Sequence, residues 1–371
     1  MHSTARILYE PYYATDSISQ ATESRFFPFF CATNDFSGMS TQAGAAGTSS
    51  SPPASLAISA FLWGNGTYAI CLICSLLFLF GPFLFPRTLG LFVVLPYLSW
   101  NLFFKRDELR FGSPWPNFSR NHPGFCCLRR YLELGFGKIP EKLVELDASD
   151  EPQAIFAVSP HGTGSDFRIL MDGMLSQNLP NMAPKIRSLA ASILFRIPFV
   201  REMALWTGCV DARRSVAENL LDAKLSILVV PGGMDEQIRT EHGKEIVYLK
   251  NRKGFIKLAM RKRVSVVPVY VFGSSDMFHT SNVLFGARYW ILKNLKMCIP
   301  IASGLWGSFC PLPVKTTIVM GEPLLFIPKI DGQPNDDELD AAHKAFMTAL
   351  EKLFDEHKRA LGYVDRKLEI I

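Results

Sequence analysis

The sequence predicts an α/β fold class: a largely parallel sheet with flanking helices, anchored by an N-terminal membrane helix pair or hairpin. Three observations carry this expectation. Apolar runs of strand length, Ala154–Val158, Leu225–Val230 and Val264–Phe272, recur almost without polar interruption, as strands covered on both faces require. Stretches of helical periodicity separate them, so strand and helix alternate. Ahead of them, Gly66–Phe85 carries no charged residue and is long enough to cross a bilayer.

The chain has 371 residues, room for one large or two ordinary domains, and 48% of them are hydrophobic. That share is high for a soluble enzyme and suits a membrane-bound one. The net charge of +5 is modest and gathers between Lys244 and Arg263, which gives no basis for a nucleic-acid partner. Eight cysteines are scattered (31, 71, 74, 126, 127, 209, 298, 310), and Cys71 and Cys74 share a C-x-x-C spacing inside an apolar run. Reduced thiols are therefore expected, with no zinc knuckle, disulfide framework or other metal site.

Residues 1–55 read as a disordered extension, because Ser37–Ser55 is an uncharged run of small and polar residues with little to bury. Residues 56–106 form the membrane segment. A second apolar run, Leu89–Phe104, carries Pro96 and closes on Lys105-Arg106, so either two tilted spans or a re-entrant hairpin returns the chain to its starting side. The basic pair marks that side as cytosolic. Residues 107–371 make up the cytosol-facing domain. At its start, Phe111–Glu145 interleaves Trp115, Phe118, Phe125 and Tyr131 with Arg120, Arg129 and Arg130, which fits an interfacial helix or an amphipathic helix on the core, the interface being favoured.

Within the domain, the first strand stops at Ser159-Pro160, and His161 follows at its carboxyl end. Gly162 and Gly164 allow a close backbone approach there. Ser165 and Asp166 open a helix with Phe167, Leu170, Met171, Met174 and Leu175 on its apolar face. A second crossover occupies Ala204–Leu221. The Leu225–Val230 strand ends at Pro231-Gly232-Gly233, Glu245–Tyr248 reads as short and extended, and Lys253–Arg263 reads as a helix. Asn335, Asp336 and Asp337 cap a last helix that Gly362 stops.

Ligands of α/β sheets gather at the carboxyl ends of the strands, so the turns Ser159–Asp166, Pro231–Glu236 and Asn251–Gly254 are expected to bring His161, Glu236 and Arg252 into one cleft. An imidazole base, a carboxylate and a group of cations suit acyl transfer from a phosphate-bearing donor. His161 takes the proton of an attacking alcohol, and Asp166 sits four residues on, within reach to hold the imidazole in one tautomer. Amides at Gly162 or at Gly232-Gly233 serve the oxyanion. Lys250, Arg252, Lys253 and Lys257 meet the phosphates of coenzyme A, although a run of cations is as often only a solvated face. A serine hydrolase would need a Gly-x-Ser-x-Gly elbow and a nucleotide-binding protein a Gly-Lys-Ser/Thr loop; the sequence has neither.

Four blocks in order carry a family resemblance: Ser159-Pro160-His161-Gly162; Gly232-Gly233-Met234-Asp235-Glu236; Asn251-Arg252-Lys253-Gly254-Phe255-Ile256-Lys257-Leu258-Ala259 running on to Val267–Gly273; and Gly321-Glu322-Pro323-Leu324 ahead of the last helix. From about Leu89 onward the chain resembles the type-2 diacylglycerol acyltransferase family, which includes monoacylglycerol and wax-alcohol acyltransferases. The resemblance implies a glycerolipid-acyltransferase-like fold and transfer of a fatty acyl group from acyl-CoA to diacylglycerol, making triacylglycerol. Monoacylglycerol or a fatty alcohol are the alternative acceptors, and a non-catalytic lipid-binding relative is a more distant reading. It implies His161 as the catalytic residue and Glu236 as a candidate partner, while Asp166 joins them on its spacing from His161 alone. It also implies acyl-CoA at Gly162, Gly232, Gly233, Asn251, Arg252, Lys253, Gly254 and Lys257. No cofactor is implied, acyl-CoA being a co-substrate. The implied location is the endoplasmic-reticulum membrane with the domain facing the cytosol, and lipid droplets as a further site. Two departures stand out: the family's first histidine is Ser159 here, and Asp166 recreates the His-x4-Asp spacing of glycerol-phosphate acyltransferases.

Overall fold

A computed structural model of the protein describes residues 52–84, 86–100, 108–165, 167–330 and 333–371. Expectations for residues 1–51 and for Lys105-Arg106 fall outside them. The strands are β1 Gly135–Phe136, β2 Ala154–Ser159, β3 Ile186–Ala190, β4 Cys209–Asp211, β5 Ser226–Val229, β6 Glu245–Val247, β7 Ser265–Phe272, β8 His279–Thr280, β9 Ala302–Ser303, β10 Thr317–Met320 and β11 Leu368–Ile370, the three apolar runs being β2, β5 and β7. One sheet takes seven of them in the order β1-β10-β7-β2-β5-β3-β4. From β7 to β4 all neighbours are parallel, whereas β10 runs antiparallel to β7 and β1 follows β10. The sheet is thus parallel through its centre and reversed at one edge.

Helices cover both faces. Those that frame the core and the site are, in chain order, α1 Ala54–Leu84, α2 Pro123–Tyr131, α3 Phe167–Asn178, α4 Arg214–Asp222, α5 Gly233–Gln237, α6 Gly254–Lys262, α7 Phe285–Leu295 and α8 Asp336–Lys358, with further short helices between, among them Glu141–Asp147 and Val200–Trp206. The alternation along β2 explains why its sequence has no polar position. Ile155 and Ala157 enter the core formed with α4, α6 and α8, while Ala154, Phe156 and Val158 enter the core formed with α1, α2 and α3. The α8 cap is as expected: the Asn335 side chain accepts from the Glu338 N–H at 2.8 Å, and Glu338 accepts in return from the Asn335 N–H.

The interfacial-helix expectation for Phe111–Glu145 gives way to core packing. Phe125 and Tyr131 are buried. Arg129 is buried too, because its guanidinium donates to the carbonyls of Leu170, Arg120 and Ser119 at 2.6–2.7 Å and so fastens α2 to α3. A buried cation with that many acceptors acts as a staple.

The apolar N-terminal helix starts earlier than expected, at Ala54, and its Ala54–Phe78 part is long and apolar enough to cross a membrane. It also lies along the domain. Asn65 donates to Ser308 at 3.1 Å and accepts from the Phe309 N–H at 3.0 Å, and Ser75 donates to the Pro198 carbonyl at 2.8 Å. Its other face exposes Ile70, Leu72, Ile73, Leu77, Phe80 and Phe83. The second apolar run folds back as a π-helix, Pro86–Val94, and a short α-helix, Leu95–Ser99, with the Tyr97 ring 4.9 Å from Phe78. This is a hairpin with one span-length arm, among the described residues.

Past Gly362 the sequence offered no element, yet β11 pairs in parallel with β6. Arg366 sits just before it, donating to Glu245 at 2.7 Å and to both Asp276 oxygens at 2.8 Å. Glu245 is almost fully buried and also accepts from the Tyr270 hydroxyl at 2.7 Å. Arg366→Met is expected to strand that carboxylate and cost about 3 kcal/mol, read as a lowered melting temperature. An unchanged melt would mean that the pair contributes nothing.

Candidate active site

The sheet order places β2 between two strands that come later in the chain, β5 and β7, so the turns after all three meet at one edge. The turn after β2 carries His161, the turn after β5 opens α5, and the turn after β7 is Gly273-Ser274. Each holds the His161 turn. Glu236 on α5 accepts the His161 backbone N–H through Oε1 in a short hydrogen bond, and the Tyr248 N–H through Oε2 at 2.8 Å. Gln237 donates to the Thr163 carbonyl at 2.7 Å. Gly162 lies so close to Ser274 that an added Cβ would come within 2.3 Å of its hydroxyl oxygen.

Glu236 is therefore close to His161, as expected, but it binds the backbone rather than the imidazole. It is a positioning residue, tying the β2 turn to the end of β6. Burial pushes its carboxyl up to about 7, against the pull of its two amide donors and of Arg252.

The Gly-Gly-Met-Asp-Glu spacing follows from this geometry. A Cβ on Gly232 would fall 2.0 Å from the Glu236 Oε2, and the hydrogen bonds to both oxygens of that carboxylate leave it nowhere to move. Gly233 has φ +55° with open space where a Cβ would point. Gly232→Ala is accordingly expected to displace the carboxylate and lower turnover about 100-fold, the usual effect of a misplaced catalytic turn. Gly233→Ala should cost only the local strain of about 1–2 kcal/mol. Equal effects of the two would refute this division of roles.

The His161 imidazole is held by its own loop. Nδ1 lies 2.9 Å from the Gly162 carbonyl. A carbonyl can only accept, so Nδ1 carries the proton and Nε2 keeps the basic lone pair. The Ser165 hydroxyl lies 3.2 Å from Nε2, 2.9 Å from Nδ1 and 3.0 Å from the His161 carbonyl. Ser165 itself is buried with φ +54°, a strained setting for a residue with a side chain. Burial pushes the imidazole down to about 4; the bond to Gly162 opposes this and the Arg168 guanidinium adds to it. The ring is neutral at physiological pH, the state a base needs. Asp166 lies outside the described residues.

Arg168 and Gln237 were not singled out from the sequence, and Ser165 was read only as the opening of a helix. Arg168 donates to the Ser165 and Leu189 carbonyls, both at 3.2 Å. Its one sequence signal was a cation in the first turn of a helix, where the dipole disfavours it. Of the amides expected to serve an oxyanion, Gly233 already donates to the Val230 carbonyl at 3.1 Å, whereas no hydrogen bond among the described residues uses that of Gly162 or Gly232.

The expected group of cations is divided. Arg252 pairs with Asp235 at 2.6 Å, beside Glu236 in sequence, and does not touch His161 in any described contact. Lys253 pairs with Asp340. Lys257 lines a separate cleft with Arg214, Arg261, Gln333 and Pro334, where both arginines share Glu218 at 2.9 Å. Asn251 lies in the turn before α6 and Gly254 is the first residue of that helix. Ser159, the departure from the family pattern, is buried at the end of β2.

A family model described as diacylglycerol acyltransferase matches residues 83–371. The chain is similar to Diacylglycerol O-acyltransferase 2 of Dictyostelium discoideum, 30% identical over 307 residues that cover 79% of this chain and 90% of that protein. It is similar to Diacylglycerol O-acyltransferase 2 of Homo sapiens, at 29% over 326 residues covering 82% and 79%. Another human relative is 2-acylglycerol O-acyltransferase 3, at 31% over 287 residues covering 72% and 80%. The match takes in the hairpin's second arm, all three turns around His161 and the strands that carry them, and the chain belongs to the diacylglycerol acyltransferase family.

Proposed function

We propose that the protein is an acyl-CoA:diacylglycerol O-acyltransferase, with His161 as general base. The observation that carries this reading is the convergence of three strand-end turns on one neutral histidine with Nε2 as its basic nitrogen. The acceptor's hydroxyl oxygen attacks the thioester carbonyl as Nε2 takes its proton. The tetrahedral intermediate collapses, the C–S bond breaks, and Nε2 returns the proton to the leaving thiolate, giving ester and free coenzyme A. Burial and Arg168 both disfavour the imidazolium formed midway, so the negative charge developing on the oxyanion must lie close to it. Asp166 remains the proposed partner of His161 on its sequence spacing, and Asp166→Asn with full activity would remove it from the mechanism.

An apolar acceptor reaches such a site from a bilayer, and the exposed face of α1 supports membrane attachment. So does a second apolar surface: Val283, Leu284, Trp290, Leu295, Trp306 and Phe309 are all more than half exposed, and the Trp306 ring lies 5.1 Å from Phe61 of α1. Location in the endoplasmic reticulum, a cytosol-facing domain and lipid-droplet association belong to the same proposal.

The test uses membranes from cells lacking neutral-lipid synthesis that express the wild type or His161→Ala. They are supplied with labelled acyl-CoA and diacylglycerol, monoacylglycerol or a fatty alcohol. Triacylglycerol from the wild type alone is expected. Ester formation chiefly on monoacylglycerol would move the assignment toward the 2-acylglycerol relative, and no ester with any acceptor would overturn the enzyme reading.

A further inference from the structure

We infer that Arg239, Arg252 and Lys293 form the site that binds the phosphate groups of the acyl donor. The inference rests on the acyl-CoA reading above and assigns that co-substrate a place. The three cations come from three elements: the turn after α5, the turn before α6, and α7. Two of them pair with a single carboxylate, Asp235, Arg252 at 2.6 Å and Lys293 at 3.0 Å, and the third, Arg239, joins Lys293 through the Tyr289 ring that both cations contact. Arg239 has no carboxylate partner in any described ion pair. Its guanidinium is held instead by aromatic faces, 4.7 Å from the Tyr289 ring centroid, 5.3 Å from Phe285 and 5.5 Å from Tyr248. Its Nε is buried without a hydrogen-bond partner among the described residues. The Lys293 ammonium lies 5.1 Å from the centroid of the same Tyr289 ring.

Ring faces orient a cation without neutralising it. Three cations against Asp235 leave a positive surplus, and counting the neighbouring Glu236 as ionised still leaves one. Such a cluster is matched by a ligand with more than one negative charge, and guanidinium groups fixed in orientation suit phosphate oxygens. The cluster is also wired to the reacting centre. Tyr248, whose ring faces Arg239, donates its N–H to Glu236, and the same carboxyl accepts the His161 N–H. A donor anchored here by its diphosphate or 3′-phosphate would extend its pantetheine arm toward the His161 turn. The cleft at Lys257 lacks any such link: its arginines are both engaged by Glu218, and none of its described contacts reaches the turns around His161.

The test measures initial rates of the full-length protein in phosphatidylcholine vesicles, with oleoyl-CoA and its dephospho analogue, for wild type, Lys293→Gln, Arg239→Met and Lys344→Gln. Lys293 is exposed and Lys344 is an exposed control on α8, so neither substitution threatens folding. Lys293→Gln and Arg239→Met are each expected to raise the KM for oleoyl-CoA about tenfold, the scale of one charge-assisted hydrogen bond, with kcat and the diacylglycerol KM unchanged. Lys293→Arg should restore the KM, and Lys344→Gln should leave it unaltered. Unchanged KM values in both variants would overturn the site. A change that appears only when anionic lipid is added to the vesicles would also overturn it, since the cations would then serve a lipid headgroup. If the wild type turns over no acyl-CoA, the functional reading fails on its own. Calorimetric titration with free coenzyme A then decides the site: binding lost in the variants supports it, and equal binding or none in wild type rejects it.

Discussion

Replacing His161 with alanine is expected to lower turnover by about three orders of magnitude, the scale of a lost general base. The melting temperature should stay close to that of the wild type. The turn does not depend on the imidazole for its position: Glu236 holds its first amide, Gln237 its Thr163 carbonyl, and Ser274 closes on Gly162. Alanine would remove the ring while those three restraints persist. The loss should therefore fall on kcat, with the KM for acyl-CoA little changed. The pH profile gives a second reading. With the imidazole down at about 4, His161 stays neutral from pH 8 to 6, and the wild-type rate should show no acid limb near the usual histidine value of 6.5. Glu236, at about 7, titrates in the same range, so the reading is taken in Glu236→Gln as well. A fall with a midpoint near 6.5 that persists there would place His161 in a far wetter setting than this one. Full activity in His161→Ala would end its role as base.

Glu236→Gln is expected to reduce turnover about 100-fold, as misplacement of a catalytic turn does, and to destabilise the fold by about 2 kcal/mol. A glutamine offers one acceptor oxygen for two amide donors. Its NH2 group would face either the His161 or the Tyr248 N–H, leaving that buried donor unpaired.

The two groups also give opposite dependences of stability on pH. Glu236 rises from 4.5 to about 7 on folding, so the folded chain holds the extra proton between these values. Its contribution is fully present below 4.5 and is lost as pH rises through about 7. His161 falls from 6.5 to about 4, so its contribution is present above 6.5 and lost as pH falls through about 4. Between pH 4.5 and 6.5 the slopes oppose each other. In Glu236→Gln the stability should rise with pH across this window, and in His161→Ala it should fall, each by up to about 1.4 kcal/mol per pH unit. Parallel slopes in the two variants would show that neither group is perturbed as described.

Much of the local structure was legible in the sequence. The strands at Ala154, Leu225 and Val264 could be read because an apolar run bounded by proline or glycine has few other uses, and α3 and α8 because their apolar stripes repeat at helical spacing. His161 stood out for the same kind of reason: a histidine between a buried strand and a glycine turn lies where ligands bind in such sheets. The reversed edge, β10 and β1, was not legible, since strand direction is set by pairing partners far away in the chain. Nor was β11, three residues whose stability comes from β6 and from Arg366 meeting Glu245 and Asp276.

By itself the sequence determined the α/β class, the ordered blocks of the diacylglycerol acyltransferase family, and the turns that carry its chemistry. These depend on properties read within a few residues: hydrophobic period, proline and glycine positions, and motif spacing. Only the tertiary structure decided what each polar side chain in those turns does. It turned Glu236 from a partner of the imidazole into the acceptor of two backbone amides. It explained Gly232 by the carboxylate folded against it, and it divided one apparent run of cations, sending Arg252 to Asp235, Lys253 to Asp340 and Lys257 to a separate cleft. Such roles are fixed by contacts across tens of residues, where distance in space, and not spacing along the chain, selects which donor meets which acceptor.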